Sequence, residues 1–272
     1  MLEQVKCLLL DLDGTIYLGD SLIPGALRLR EVAEELGLDV FFLTNNSSRS
    51  RTYYAKKITS MGWPVSIDSV LSSSQATALQ LLKRGYKRVY LVGTPSLREE
   101  LEAYGIEVCG DDEPQVDCVV VGFDTTLEYS KLRAAGRHLL KGTPMISSNP
   151  DLVCPLEGGE FIPDCAAISA CLMTAYPGVT TEYMGKPERP MLDLVESRTK
   201  WRGKSIAMIG DRLYTDVRFG SRWGLTAVLT LSGESRREDL GPDDNPDIIV
   251  NHVGELAEML HEAYASGGKD RR

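Results

Sequence analysis

Asp11-Leu12-Asp13-Gly14-Thr15 puts two carboxylates two residues apart, directly after the apolar run Val5–Leu10. Thr44-Asn45-Asn46-Ser47-Ser48 follows Val40–Leu43 in the same way, and Gly210-Asp211, with Thr215-Asp216 close behind, follows Ser205–Ile209. Gly185-Lys186-Pro187 presents an ammonium just before a helix. Carboxylates brought together cost several kcal/mol unless a cation neutralises them. A hard cation with oxygen ligands, magnesium above all, removes that cost and recruits substrate phosphate. A Lys and a Thr add contacts for phosphoryl oxygens, and Asp is a known covalent nucleophile in aspartyl-phosphate chemistry. Taken singly, each cluster is also explained by an Asp-Gly turn, a helix N-cap or an Asx turn. Their joint order singles them out, because open α/β sheets bind ligands beyond the carboxyl ends of their strands.

The elements that would position these groups alternate. The strand at Val5–Leu10 is followed by a helix over Pro24–Gly37, with Ala26, Leu29, Ala33 and Leu36 at helical spacing and Gly37 as its C-cap. Further strands are expected at Ser69–Ser73, Val89–Val92, Val116–Val121, Pro144–Ser147 and Ser205–Ile209, with Thr226–Leu231 the last. Helices are expected between them, including Gln75–Leu82, Tyr129–Leu140 and Ala166–Ala175. Strand-then-helix repetition with short turns is the pattern of a parallel sheet with right-handed crossovers. The fold class is therefore α/β.

Composition narrows the function. The chain has 272 residues, 39 acidic and 30 basic, for a net charge of −9. At about 100–200 residues per domain, that length allows one large domain or two ordinary ones. The acidic surplus argues against nucleic acid and anionic membrane as partners, because both require clustered Lys and Arg. The short tail Lys269–Arg272 reads as a solvated end. No targeting segment and no run of roughly 18 apolar residues is present. Six scattered cysteines without a C-x-x-C pair fit reduced thiols, so a cytoplasmic location is expected. Three histidines without zinc-ligand spacing argue against a zinc enzyme; His138 reads as a helix-surface residue, and Trp63, Trp201 and Trp223 as packing residues.

The four clusters resemble the motifs of the haloacid dehalogenase-like phosphatase superfamily, and specifically of its NagD-like group, which includes 4-nitrophenylphosphatase-type enzymes. Asp11-Leu-Asp-Gly-Thr-Ile-Tyr resembles the first motif, Leu43-Thr44-Asn45-Asn46-Ser47-Ser48 the second, Gly185-Lys186-Pro187 the third, and Gly210-Asp211 with Thr215-Asp216 the fourth. Val121-Gly122-Phe123-Asp124 and Asn149-Pro150-Asp151 also look like this group, so the resemblance runs over essentially the whole chain. It implies a Rossmann-like parallel sheet core with an inserted α/β cap domain. It also implies a two-step hydrolysis of phosphate monoesters: Asp11 is the nucleophile and Asp13 the general acid and base. Magnesium would be held by Asp11, the Asp13 carbonyl and Asp211. Thr44, the Asn45 backbone and Lys186 would hold phosphate, with Asp216 orienting the metal site or Lys186. Arg212 stands where many relatives carry Asn, and Pro163-Asp164 where many carry Pro-Gly.

Spacing selects the cap. Between Asp13 and Thr44 there is room for one helix and one strand, whereas about a hundred extra residues lie between Asn45 and Lys186. The expected division is a core over 1–82, a cap over 83–181 inserted between the second and third motifs, and the rest of the core over 182–272. Asp124, Asn149, Asp151 and Asp164, at the ends of cap elements, are candidate substrate contacts, and equally turn and cap residues. The expected partner is a small phosphorylated metabolite, such as a sugar phosphate or nucleotide, and an exposed cap face could pair two chains as a homodimer. Two rivals stay open: a phosphotransferase or phosphomutase on the same core, and a phosphate-sensing module that also uses Asp, Thr and Lys beyond strand ends.

Overall fold

The computed structural model describes residues 1–156 and 160–267. The tail Lys269–Arg272 lies outside them. In chain order the elements begin with β1 (Cys7–Leu10), the hairpin β2 (Tyr17–Leu18) and β3 (Ser21–Leu22), α1 (Ala26–Leu36), β4 (Asp39–Thr44), α2 (Arg51–Ser60), β5 (Val70–Ser72) and α3 (Ser73–Lys83). They continue with β6 (Arg88–Val92), α4 (Pro95–Ala103), β7 (Glu107–Cys109), β8 (Cys118–Val121), α5 (Tyr129–Leu139), β9 (Met145–Ser147), β10 (Val153–Pro155), β11 (Phe161–Pro163), α6 (Cys165–Ala175) and β12 (Thr181–Tyr183). The chain then runs through α7 (Arg189–Arg198), β13 (Ile206–Gly210), α8 (Arg218–Arg222), β14 (Thr226–Thr230), β15 (Ile248–Val250) and α9 (Val253–Gly267).

Two compact units divide the chain. One gathers Met1–Leu43, Ala55–Leu71 and Val195–Arg272, the other Thr44–Tyr54 and Ser72–Leu194. One sheet has the strand order β15-β14-β13-β1-β4-β5, with β1 parallel to both β13 and β4. A second has the order β12-β9-β8-β6-β7, and its strand pairs are parallel throughout. Parallel strands covered on both faces must be apolar along their length. That is why Cys7-Leu8-Leu9-Leu10 and Ile206-Ala207-Met208-Ile209-Gly210 are buried at every position. Where polar residues follow such a run, the strand has reached the sheet edge, and the backbone must turn into solvent or a crevice.

Helix ends follow the sequence signals closely. Gly37 caps α1 in the left-handed region, its N–H returning to the carbonyls of Ala33 and Glu34. Thr94 caps α4 by accepting the Leu97 N–H, with Pro95 in the first turn. Three expectations need correction. Thr226–Leu231 is not the last strand: β15 follows it and pairs parallel with β14. Ile248-Ile249-Val250 is too short to show a period, and the long α9 after it was not foreseen either. His138 is not a surface residue, being only 1% exposed. It lies on the buried stripe Ala134-Ala135-His138-Leu139 of α5, its ring tilted 34° to that of Tyr90 at 5.4 Å. Trp201 and Trp223 are only partly buried, whereas Trp63 packs edge-on against Phe42. No helix among the described residues is long and apolar enough to cross a membrane.

Candidate active site

In the six-stranded sheet the chain builds outward from β1 to β4 and β5, then returns to the other side of β1 with β13. The switch point therefore lies between β1 and β13, where open α/β sheets form their crevice. Asp11 follows β1 and Asp211 follows β13, while Asp216 stands on the π-helical turn Leu213–Val217 just beyond. Such wide turns are frequent at functional sites. Asp11, Asp211 and Asp216 each offer a carboxylate oxygen within 4.8 Å of the other two. The resemblance made Asp11 and Asp211 metal ligands with the Asp13 carbonyl and set Asp216 behind them; the structure brings the Asp11, Asp211 and Asp216 carboxylates together.

The cluster is buried on the Asp211 and Asp216 side, at 2% and 1% exposure. Asp211 Oδ2 accepts the Glu234 N–H at 2.7 Å, whereas its Oδ1 is buried with no hydrogen-bond partner among the described residues. A buried acceptor left in this way carries its full desolvation cost. Burial first, then the neighbouring Asp216 carboxylate, pushes the Asp211 carboxyl up to about 7. All-oxygen donors, gathered charge and an oxygen without a partner fit a hard divalent cation. Gly14 allows the packing: it has φ +82, and a Cβ on it would stand 2.4 Å from Asp211 Oδ2. Asp13 lies outside the trio, with the Tyr17 hydroxyl 3.5 Å from its Oδ2 and the Lys57 ammonium 4.1 Å from the centre of the Tyr17 ring.

The second group of motif residues forms a different kind of network. The Asn45 side chain grips the Lys186 backbone at two points, Oδ1 accepting the Lys186 N–H at 2.7 Å and Nδ2 donating to the Lys186 carbonyl at 3.0 Å. The Asn45 carbonyl accepts from Ser73 Oγ at 2.6 Å and from Asn149 Nδ2 at 2.8 Å. Lys186 is 1% exposed, and the peptide joining it to Pro187 is cis. Thr44 Oγ1 accepts the Asn46 N–H at 3.1 Å. Asn45 therefore fixes the chain that bears the ammonium through its side chain, a contribution beyond the backbone role that the motifs implied.

The cap candidates are all deeply buried. Asn149 spends its amide nitrogen on Asn45 and its Oδ1 on the Asp151 N–H at 3.0 Å. Asp164 caps α6, accepting the Cys165 N–H at 2.5 Å. The Asp124 carboxylate binds the Lys131 ammonium at 2.7 Å and the Thr126 N–H and hydroxyl at 2.9 and 2.7 Å. Ser47 Oγ, part of the second motif but given no role by the sequence, lies 2.8 Å from Ser148 Oγ and accepts the Phe123 N–H at 2.8 Å. The loop after β14 was also missed, although it holds Asp211. Its signal was the same as elsewhere, a polar Ser-Gly-Glu step at the end of a buried strand.

Fold and site together define a class: an open parallel α/β protein with an acidic crevice suited to a cation. Residues 8–107 match the model of the haloacid dehalogenase-like hydrolases, and residues 183–256 match a second, HAD-hydrolase-like model. A glycerol-3-phosphate phosphatase from Mus musculus is 33% identical, with 96% of this chain and 91% of the relative aligned. The crystal structure of a 4-nitrophenylphosphatase from Thermotoga maritima superposes with a TM-score of 0.88 at 39% identity, over 94% of this chain and 98% of that one. A glycerol phosphate phosphatase from Mycobacterium tuberculosis, solved in complex with calcium, gives 0.84 at 29% identity, over 94% and 75%. The chain belongs to the haloacid dehalogenase-like hydrolase family, and the resemblance read from its motifs is borne out.

Proposed function

We propose that this protein is a magnesium-dependent phosphatase of small phosphate monoesters that works through an aspartyl phosphate on Asp11. The observation that carries this reading is the carboxylate trio with a buried Asp211 oxygen that has no hydrogen-bond partner among the described residues. The phosphatase names of the aligned relatives support it. Asp11, the Asp13 carbonyl and Asp211 would hold the cation, which when bound would neutralise charge on the carboxylates and on the substrate phosphate.

In the first step an Asp11 oxygen bonds to phosphorus as the ester P–O bond breaks, and Asp13 gives its proton to the departing alkoxide. In the second, Asp13 takes a proton from water, the water oxygen bonds to phosphorus, and the Asp11–phosphorus bond breaks to release inorganic phosphate. Thr44, the Asn45 N–H and Lys186 hold phosphoryl oxygens, with Lys186 kept in place by the Asn45 clamp. Asp216 holds the Arg212 N–H at 3.2 Å and orients the metal side. Residues 83–181 act as the cap that excludes water and selects the substrate, with Asn149, Asp151 and Asp164 on its loops. The scattered cysteines, without a C-x-x-C pair, support a cytoplasmic setting.

The test is a panel of sugar phosphates, glycerol phosphates, nucleotides and 4-nitrophenyl phosphate, assayed with magnesium and with EDTA. Phosphate release from at least one ester, abolished by EDTA, is expected. Silence across the panel would refute the reading.

A further inference from the structure

The loop after β14 lies against the acidic cluster, and none of the four motifs includes it. Ser232 Oγ donates to the Gly14 carbonyl at 2.7 Å. Gly233 approaches so closely that a Cβ on it would stand 2.0 Å from Asp211 Oδ2. The Glu234 N–H donates to that same oxygen at 2.7 Å, and the Ser235 N–H to the Asp211 carbonyl at 3.2 Å. One short loop thus fixes both the backbone and one carboxylate oxygen of Asp211, and leaves Oδ1 as its one oxygen without a hydrogen-bond partner among the described residues.

An ion pair ties this loop down. Arg212 Nε lies 3.0 Å from Glu234 Oε2, with the two side chains 14% and 26% exposed. The Tyr214 hydroxyl lies 3.5 Å from the same Glu234 oxygen. Ion pairs that keep some contact with solvent add little to stability on their own. This one differs in its placement. Arg212 is the residue after Asp211, and its own N–H holds Asp216 Oδ2. Glu234 supplies the N–H that holds Asp211. The pair therefore joins the two backbone segments that aim the two buried carboxylates.

We propose that Arg212 and Glu234 are positioning residues: their ion pair clamps the Ser232–Ser235 loop onto Asp211 and so sets the affinity of the acidic cluster for its divalent cation. The inference rests on the metal-dependent reading above. Groups that orient metal ligands from behind typically change metal affinity by about 10–100-fold when removed. Loss of the clamp would let the Asp211 carboxylate rotate, and part of the binding energy would then go into ordering it.

The test is a magnesium titration of the whole protein by calorimetry, with no substrate present. Arg212→Ala and the near-isosteric Glu234→Gln should each raise the magnesium Kd about tenfold. The double variant should be no weaker than the worse single, because both changes break one clamp. The exchanged pair, Arg212→Glu with Glu234→Arg, should recover most of the affinity. The half-saturating magnesium for turnover should rise in parallel, while kcat at saturating magnesium stays within about twofold. Single variants with wild-type affinity, or losses that multiply in the double variant, would overturn the clamp. A wild-type protein that takes up no magnesium would overturn the metal reading itself, so the two failures are distinguishable.

Discussion

The six-stranded sheet reverses its direction of growth between β1 and β13, and the five-stranded sheet does so between β6 and β8. At the first reversal the strand ends deliver Asp11 and Asp211, joined by Asp216. At the second, Gly93 follows β6 and Asp124 lies just past β8, and Lys131 from α5 donates to the Gly93 carbonyl at 3.0 Å and to Asp124 at 2.7 Å. The same topological crevice thus gathers three carboxylates in one sheet and is closed by the chain's own cation, Lys131, in the other. Topology alone makes a crevice. Three carboxylates gathered at the first, against one carboxylate held by a lysine at the second, are what place the proposed chemistry at the first.

The largest effect should come from removing the chain's own cation. Lys131→Met leaves the Asp124 carboxylate, whose side chain is fully buried, without its ammonium. Breaking such a pair costs about 3 kcal/mol or more. Urea denaturation should show that loss equally with and without magnesium.

Asp211→Asn should do the reverse. It relieves the crowded carboxylates, so the melting temperature of EDTA-treated protein should rise by about 2–4 °C, while the rise produced by magnesium in the wild type disappears. The folded carboxyl is raised from the ordinary range to about 7, so its contribution to stability is complete below the ordinary carboxylate range and lost as pH climbs to about 7. The advantage of the Asn variant over wild type should therefore be larger at pH 7.5 than at pH 5. An equal advantage at both would mean that Asp211 is ionised throughout.

A smaller effect of opposite sign belongs to the other unit. Both ring nitrogens of His138 are buried without hydrogen-bond partners among the described residues. Burial, then Lys141 and Arg137, holds the ring below its usual value of 6.5. The stability of the neutral ring is thus present above about 6.5 and lost as pH falls below it. His138→Leu should reduce the melting-temperature drop between pH 7 and pH 5 by about 1–2 °C.

These contrasts also mark what the sequence makes legible. Buried parallel strands are continuous apolar runs, so β1, β4 and β13 and the polar residues that follow them stand out, Asp11, Asp211 and Asp216 among them, while their roles at a metal came from the family resemblance. Strands of three residues such as β7, β12 and β15 have no period to read. The Glu234 N–H that holds Asp211 is a backbone group, invisible in any side-chain pattern. The Asn45 clamp on Lys186 joins residues 141 positions apart, and an Asn reads equally well as a cap, a turn or a ligand. His138 could have been found, because its spacing from Ala134, Ala135 and Leu139 is that of a buried helix face.

Under the proposed function, the carboxylates gathered at the first switch point serve a covalent step on Asp11. Rapid quenching of the protein with magnesium and a turned-over phosphate ester, followed by peptide mass mapping, tests it most directly. An alkali- and hydroxylamine-labile phosphoryl group is expected on the peptide that contains Asp11, and none in Asp11→Asn, whose turnover should fall by about 10⁴-fold or more without loss of fold. Rapid turnover with no adduct on that peptide, or an Asp11→Asn variant that still turns over, would contradict it.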